Sequence, residues 1–142
     1  MNESTRFLQF ARLKKEAGQD FCFNALGRSM RPWIPSGSTV RIRPAQTCEK
    51  GDIVLAAFGS GVVLHRVVSV REDALILRGD WNTRRQVIPL KHLLGIALEC
   101  TRPSGRTITL RRTWFNRLWL GVCVGVDLRK RLFQPLSNVN LR

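Results

Sequence analysis

Apolar positions repeat every three to four residues near the start of the chain and every two residues after that. In "STRFLQFARLKKEAG" (4–18), Phe7, Phe10, Leu13 and Ala17 fall at helical spacing. With Ser4 or Thr5 as candidate N-cap and Gly18 as the stop, this predicts a short amphipathic helix. From residue 21 the runs "FCFNAL", "STVRIRP", "DIVLAAF", "GVVLHRVVSV" and "ALILRG" are rich in β-branched and aromatic residues and are bounded by glycine, proline or charged turns, the mark of strands. "GIALECTR" and "RTITLR" extend the set. Five to seven short strands predict a mainly β fold: a bent, largely antiparallel sheet or partly open barrel. From Thr113 a helical period returns, with Phe115, Leu118, Trp119, Val122 and Val126 on one stripe before "DLRKRLFQP". That predicts a C-terminal amphipathic helix, which needs a surface to pack on because valine and glycine are weak helix formers. No repeat or low-complexity segment interrupts the pattern. The expected organisation is one domain, with a helix at 1–19, a β domain at 20–102 and an extension at 103–142.

Composition narrows the class. A chain of 142 residues that is 44% hydrophobic is long enough to bury one real core. Its formal charge of +14 suggests an anionic partner, a lipid surface or a nucleic acid. The charge is uneven: residues 101–142 carry nine Lys or Arg against one acid, residues 1–100 fifteen against nine. Cys22, Cys48, Cys100 and Cys123 show no close CxxC pair of the kind that clamps zinc and read as buried thiols. No metal or cofactor is expected. The chain opens without a signal-peptide pattern. Its longest apolar stretch, "LWLGVCVGV" (118–126), is nine residues, against roughly 20 for a spanning helix. A cytoplasmic or peripherally membrane-associated protein is the expectation.

The candidate chemistry begins at "LGRSMRPWIPSG" (26–37). A serine acts as nucleophile when a base takes its proton, a donor holds the oxyanion and the backbone presents the hydroxyl at a cleft. Gly27 permits a close backbone approach, Met30 can anchor the turn in the core and Pro32 stiffens its exit. Taken alone, Ser29 beside glycine and proline reads as turn chemistry. Two histidines are candidate bases. His65 lies mid-strand on the face of Val63 and Val67, where a core role competes with a catalytic one; His92, in "PLKHLLG", has no nucleophile motif nearby and is expected on a surface turn.

In order and spacing, "GRSMRPWIPSGSTVRIRP", "KGDIVLAAF", "VVLHRVVSV" and "LRGDWN" resemble the motifs of the signal peptidase I superfamily of serine endopeptidases, over about residues 20–100. Membrane-bound bacterial members place a lysine where this chain has His65, so the resemblance is to the archaeal and endoplasmic-reticulum type. It implies Ser29 as nucleophile, His65 as general base, the Ser29 N–H as first oxyanion donor and the family's bent antiparallel sheet. Some relatives add a hydroxyl donor two residues before the nucleophile; Gly27 stands there and supplies none. Relatives also carry a second aspartate, six residues after the first of the Gly-Asp-x-Asn box, that orients the histidine. Here that position is Gln86, an amide without charge.

Asp80 could take over the orienting role only in one register. Pairing Val70 with Ala74 sets Arg66 opposite Arg78 and places Asp80 on the face of Arg66, predicting a structural Asp80–Arg66 ion pair. A slip of one residue would put Asp80 opposite His65 instead. An impaired relative would still bind an extended peptide along a strand edge, so a peptide-binding module is the second expectation. The partner expected in either case is a peptide or protein substrate, with an anionic membrane surface for the "TWFNRLWLGVCVGVDLRKRLF" segment. The self-cleaving domains of SOS-type repressors share a related sheet but use lysine and follow a helix-turn-helix domain. About 20 residues before the sheet are too few for one, and nucleic-acid binding is not expected.

Overall fold

The computed structural model describes residues 1–82, 84–111 and Leu118. The expected C-terminal amphipathic helix, apart from Leu118, and Cys123 lie outside the described residues. A helix α1 (Glu3–Ala17) leads into eight strands: β1 (Phe21–Ala25), β2 (Ser38–Pro44), β3 (Ile53–Phe58), β4 (Gly61–Val70), β5 (Ala74–Arg78), β6 (Arg85–Pro89), β7 (Leu93–Thr101) and β8 (Thr107–Thr109). They form one antiparallel sheet in the order β1-β2-β7-β3-β4-β5-β6, with β8 also on β7, curled into a half-barrel. The mainly β architecture expected from the period-two runs is therefore present. Register shifts at Arg41/Ile42, Leu55/Ala56 and Val67/Ser69 account for the curl, because an extra residue on one strand bends it and increases its twist.

Two apolar clusters flank the sheet. The first gathers Phe21, Val40, Ile42, Leu55 and Leu94 with Met30, Ile34 and the α1 residues Leu8 and Ala11. The second gathers Val54, Val67, Leu75, Leu77, Ile88 and Ile96. Central β3 alternates between them, Ile53, Leu55 and Ala57 into the first, Val54 and Ala56 into the second. Burial on both faces is why its sequence is a continuous apolar run.

Several details correct the sequence reading. The N-cap of α1 is Asn2, whose Oδ1 accepts from the Thr5 N–H at 2.9 Å and the Thr5 hydroxyl at 2.8 Å, so neither Ser4 nor Thr5 caps. Gly18 does end the helix, at φ 64°. The buried stripe is Leu8 and Ala11, with Phe7 half-buried; Phe10 and Leu13 are exposed. Phe10 instead meets Phe7 and Phe21 at the helix's flank. Strand β6 was not expected, since "RRQVIP" holds two arginines and buries only Ile88. Cys22 is exposed and Cys48 half-buried, correcting the expectation of buried thiols; Cys100 is buried. Cys22 sits on β1, the outermost strand, where alternate side chains face out.

Candidate active site

Ser29 is carried by the turn between β1 and β2. Gly27 enters that turn at φ 108°, a conformation that favours glycine. A Cβ there would meet nothing within 4 Å, so backbone conformation, and not the close approach expected of it, is what requires the glycine. Met30 is buried in the first cluster, and its carbonyl accepts from Ile34 N–H at 2.9 Å. The serine is thus bracketed by a left-handed turn and a core anchor. Its own N–H makes no hydrogen bond to another described residue.

His65 pairs with Val54 on β3, and Gln86 with Leu77 on β5. Side chains of antiparallel partners share a face, and Val54 and Leu77 both belong to the second cluster, so His65 and Gln86 meet on one side of the sheet. His65 Nδ1 lies 2.8 Å from Gln86 Oε1. A carboxamide oxygen only accepts, so Nδ1 carries the proton and Nε2 keeps its lone pair. Burial pushes the His65 pKa below the ordinary histidine value, while the Gln86 hydrogen bond and the charge of Asp80 act in the opposite direction.

Gly79 is where the serine and the histidine converge. A Cβ built on it would stand 2.6 Å from the Ser29 carbonyl oxygen, 2.9 Å from Ser29 Cβ and 3.2 Å from His65 Nε2. Ser29 Cβ and His65 Nε2 therefore lie no farther apart than the sum of the last two distances. Any other side chain at 79 would occupy the space between them. The neighbouring Trp81 N–H donates to the Ser29 carbonyl at 2.9 Å, tying the "GDWN" segment to the serine turn. No hydrogen bond joins Ser29 to His65 among the described residues; in unliganded sites such bonds are commonly long and tighten on substrate binding.

Asp80 belongs to Arg66. Its Oδ1 accepts from Arg66 Nε at 2.7 Å and its Oδ2 from Arg66 Nη2 at 2.8 Å, with both side chains almost wholly buried. Arg66 Nη1 also donates to the Gly51 carbonyl at 2.8 Å. The ion pair is the one expected from the register, though the register reaches it differently. Val70 pairs with Leu75, not Ala74, and the bulge between Val67 and Ser69 restores Arg66 opposite Arg78. His92 lies in a single 3-10 turn, Leu90–His92, and does not line the cleft beside Ser29 and His65.

A cleft of about 530 Å³ opens beside Ser29 and His65. Consecutive residues line it on both sides: Phe23 to Gly27 from β1 and its exit, Val62 to His65 from β4. Alternate residues would line it if a strand presented a face, so consecutive ones mean that each strand presents its edge. Those edges are free of partners among the described residues: β1 pairs with β2 alone, and β4 pairs with β5 only from Arg66 onward. Met30, Ile34 and Leu55 also line the cleft, and Glu3, Ser4 and Phe7 of α1 reach it from the side.

The family model described as Peptidase S24-like matches residues 2–91. The chain belongs to the Peptidase S24-like family. The S24-like match runs from α1 through β6 and contains Ser29, His65, Asp80 and Gln86, in keeping with the signal-peptidase resemblance of the motifs. It supports a peptidase fold, in a family that also includes SOS-type repressors. No curated protein matches the chain.

Three features of this S24-like site were not foreseen: Gly79 as the spacer between Ser29 and His65, β6 as the carrier of Gln86, and α1 as part of the cleft. The glycine had a signal, since it directly precedes Asp80 in the motif. The other two arise from long-range packing that leaves no local mark.

Proposed function

We propose that this protein is a serine endopeptidase that hydrolyses an extended peptide, such as a leader, signal or propeptide segment, with Ser29 as nucleophile and His65 as general base. The convergence of both residues on Gly79, with Gln86 holding the proton on the far nitrogen of the ring, is the observation that carries this reading. The peptide lies in the cleft as an added strand, its backbone paired with the free edges of β1 and β4.

His65 Nε2 takes the Ser29 proton as Oγ attacks the scissile carbonyl, and the Ser29 N–H stabilises the resulting oxyanion. The tetrahedral intermediate collapses, the C–N bond breaks, and the amine leaves with the proton from Nε2. Water then gives a proton to Nε2 and attacks the acyl ester, releasing the acid and restoring Ser29. Gln86 fixes the tautomer but brings no charge to the imidazolium. In the best-studied Ser-His-Asp enzyme, replacing the aspartate by a neutral amide costs about 10⁴-fold in rate. This makes slow turnover the expected behaviour.

Gln86 and the missing Ser29–His65 hydrogen bond favour a second reading, a peptide-binding module that uses the same strand edges without hydrolysis. Labelling with a serine-directed fluorophosphonate, read by intact mass and peptide mapping, separates the two. Stoichiometric label on Ser29, absent from Ser29→Ala and slowed at least tenfold in His65→Ala, is expected of the peptidase. Folded protein that takes no label, yet binds extended peptides as well after Ser29→Ala, would establish the module.

A further inference from the structure

The cleft has a charge of its own. Of the side chains that line it, only Glu3 and His65 are titratable, and they mark different ends. His65 lies against Gly79 and Ser29. At the other end, a Cβ on Gly61 would stand 3.2 Å from Ser4 Cβ, and the Thr5 hydroxyl oxygen lies 3.3 Å from the Ser60 carbonyl oxygen. The first turn of α1, with Glu3 beside Ser4, is therefore seated on the start of β4. From Gly61 to His65 is four steps along one strand, or about 13 Å at the rise of an extended chain. A peptide paired along β4 with its scissile bond at Ser29 brings the side chain about four residues away to Glu3. Glu3 makes no ion pair among the described residues. In a chain of net charge +14, the cleft thus ends in a carboxylate with no ion-pair partner among the described residues, while the walls between are apolar: Phe7, Phe23, Met30, Leu55 and Val62.

We infer that Glu3 is a specificity-determining residue, selecting substrates with a lysine or arginine about four residues from the scissile bond, beyond an apolar stretch. This rests on the reading of the cleft as a peptide site. A cation there gains an ion pair with an exposed carboxylate, a modest preference, and an acidic side chain meets repulsion.

The test is a positional-scanning library of extended peptides, with Lys, Arg, Leu, Gln and Glu at each position. Cleavage by wild type, Glu3→Gln and Glu3→Lys is read by mass spectrometry, and equilibrium binding of the same peptides by fluorescence anisotropy. Wild type should prefer Lys or Arg over Glu by about threefold or more at one position near the fourth from the cut. The preference should vanish in Glu3→Gln and reverse in Glu3→Lys. Glu3→Gln keeps the shape and the exposed helix position, so a folding defect in Glu3→Lys would not hide the effect. A charge profile identical in all three proteins overturns the inference while leaving the peptidase reading intact. Binding with a Glu3-dependent profile but no cleavage supports the inference and overturns hydrolysis. Neither binding nor cleavage overturns both.

Discussion

At the scale of single residues, the site depends on a glycine and an amide. Replacing Gly79 by alanine puts a methyl group 2.6 Å from the Ser29 carbonyl oxygen and 3.2 Å from His65 Nε2, so the serine turn must move away from the ring. Overpacking of this kind costs about 1–3 kcal/mol. We expect Gly79→Ala to fold with a lowered melting temperature and to lose most of its fluorophosphonate labelling; a labelling rate equal to wild type would show that Ser29 and His65 need not meet there. Burial sets the direction of the His65 pKa, and the Gln86 hydrogen bond opposes it. In the proposed role of base His65 must be neutral, and burial holds its pKa below the ordinary value. The labelling rate should rise with pH through an inflection below about 6.5. Gln86→Asp adds a negative charge beside Nδ1, and should move that inflection upward and increase the rate. The same depression acts on stability. The unfolded chain binds the His65 proton more readily, so this contribution is intact above the unfolded pKa and declines as pH falls through it towards the folded one. His65 could be singled out at this scale because motif order marks it. Its contact with Gln86 could not, because the partner strand β6 has too little apolar pattern to announce itself.

At the scale of elements, the Arg66–Asp80 pair fastens three segments: β4 through Arg66, the serine-facing "GDWN" segment through Asp80, and the turn before β3 through the Gly51 carbonyl. Both side chains are nearly excluded from water. Removing one leaves a buried charge without compensation, at a cost of about 3–5 kcal/mol. Asp80→Ala should shift the urea midpoint accordingly, while Asp80→Asn, which keeps some hydrogen bonding, should cost less. If Asp80→Ala unfolded at the wild-type midpoint, the pair would not be what anchors the segment. The ion pair could be reasoned from sequence because faces alternate along strands. The bulge in β4 that delivers it could not, because the pairing of Val70 with Leu75 and that of Arg66 with Arg78 differ by one residue, and no residue between them signals the insertion.

At the scale of the whole molecule, the half-barrel has a firm centre and open margins. β3 and β7 contribute side chains to both apolar clusters, whereas β1 and β6 end the sheet order. Amide hydrogen exchange should therefore be slowest in Ile53–Ala57 and Leu93–Ala97 and fast at β1 and in Val62–Leu64, where the edge is free. Binding of an extended peptide should slow exchange at those free edges first. Protection of Val62–Leu64 without any ligand, matching that of β3, would mean that the cleft edge is already paired.

The sequence by itself determined the β class, the helix that precedes it, the serine turn and the histidine strand, since each is written in local periodicity, turn chemistry or motif order. The tertiary structure alone decided which strand edges stay unpaired, that Gln86 meets His65, that Gly79 spaces Ser29 from His65 and that α1 brings Glu3 to the cleft. Each of these is a contact between residues far apart in the chain, settled by how bulges curl the sheet and by which apolar faces must be covered. Local pattern carries no record of either.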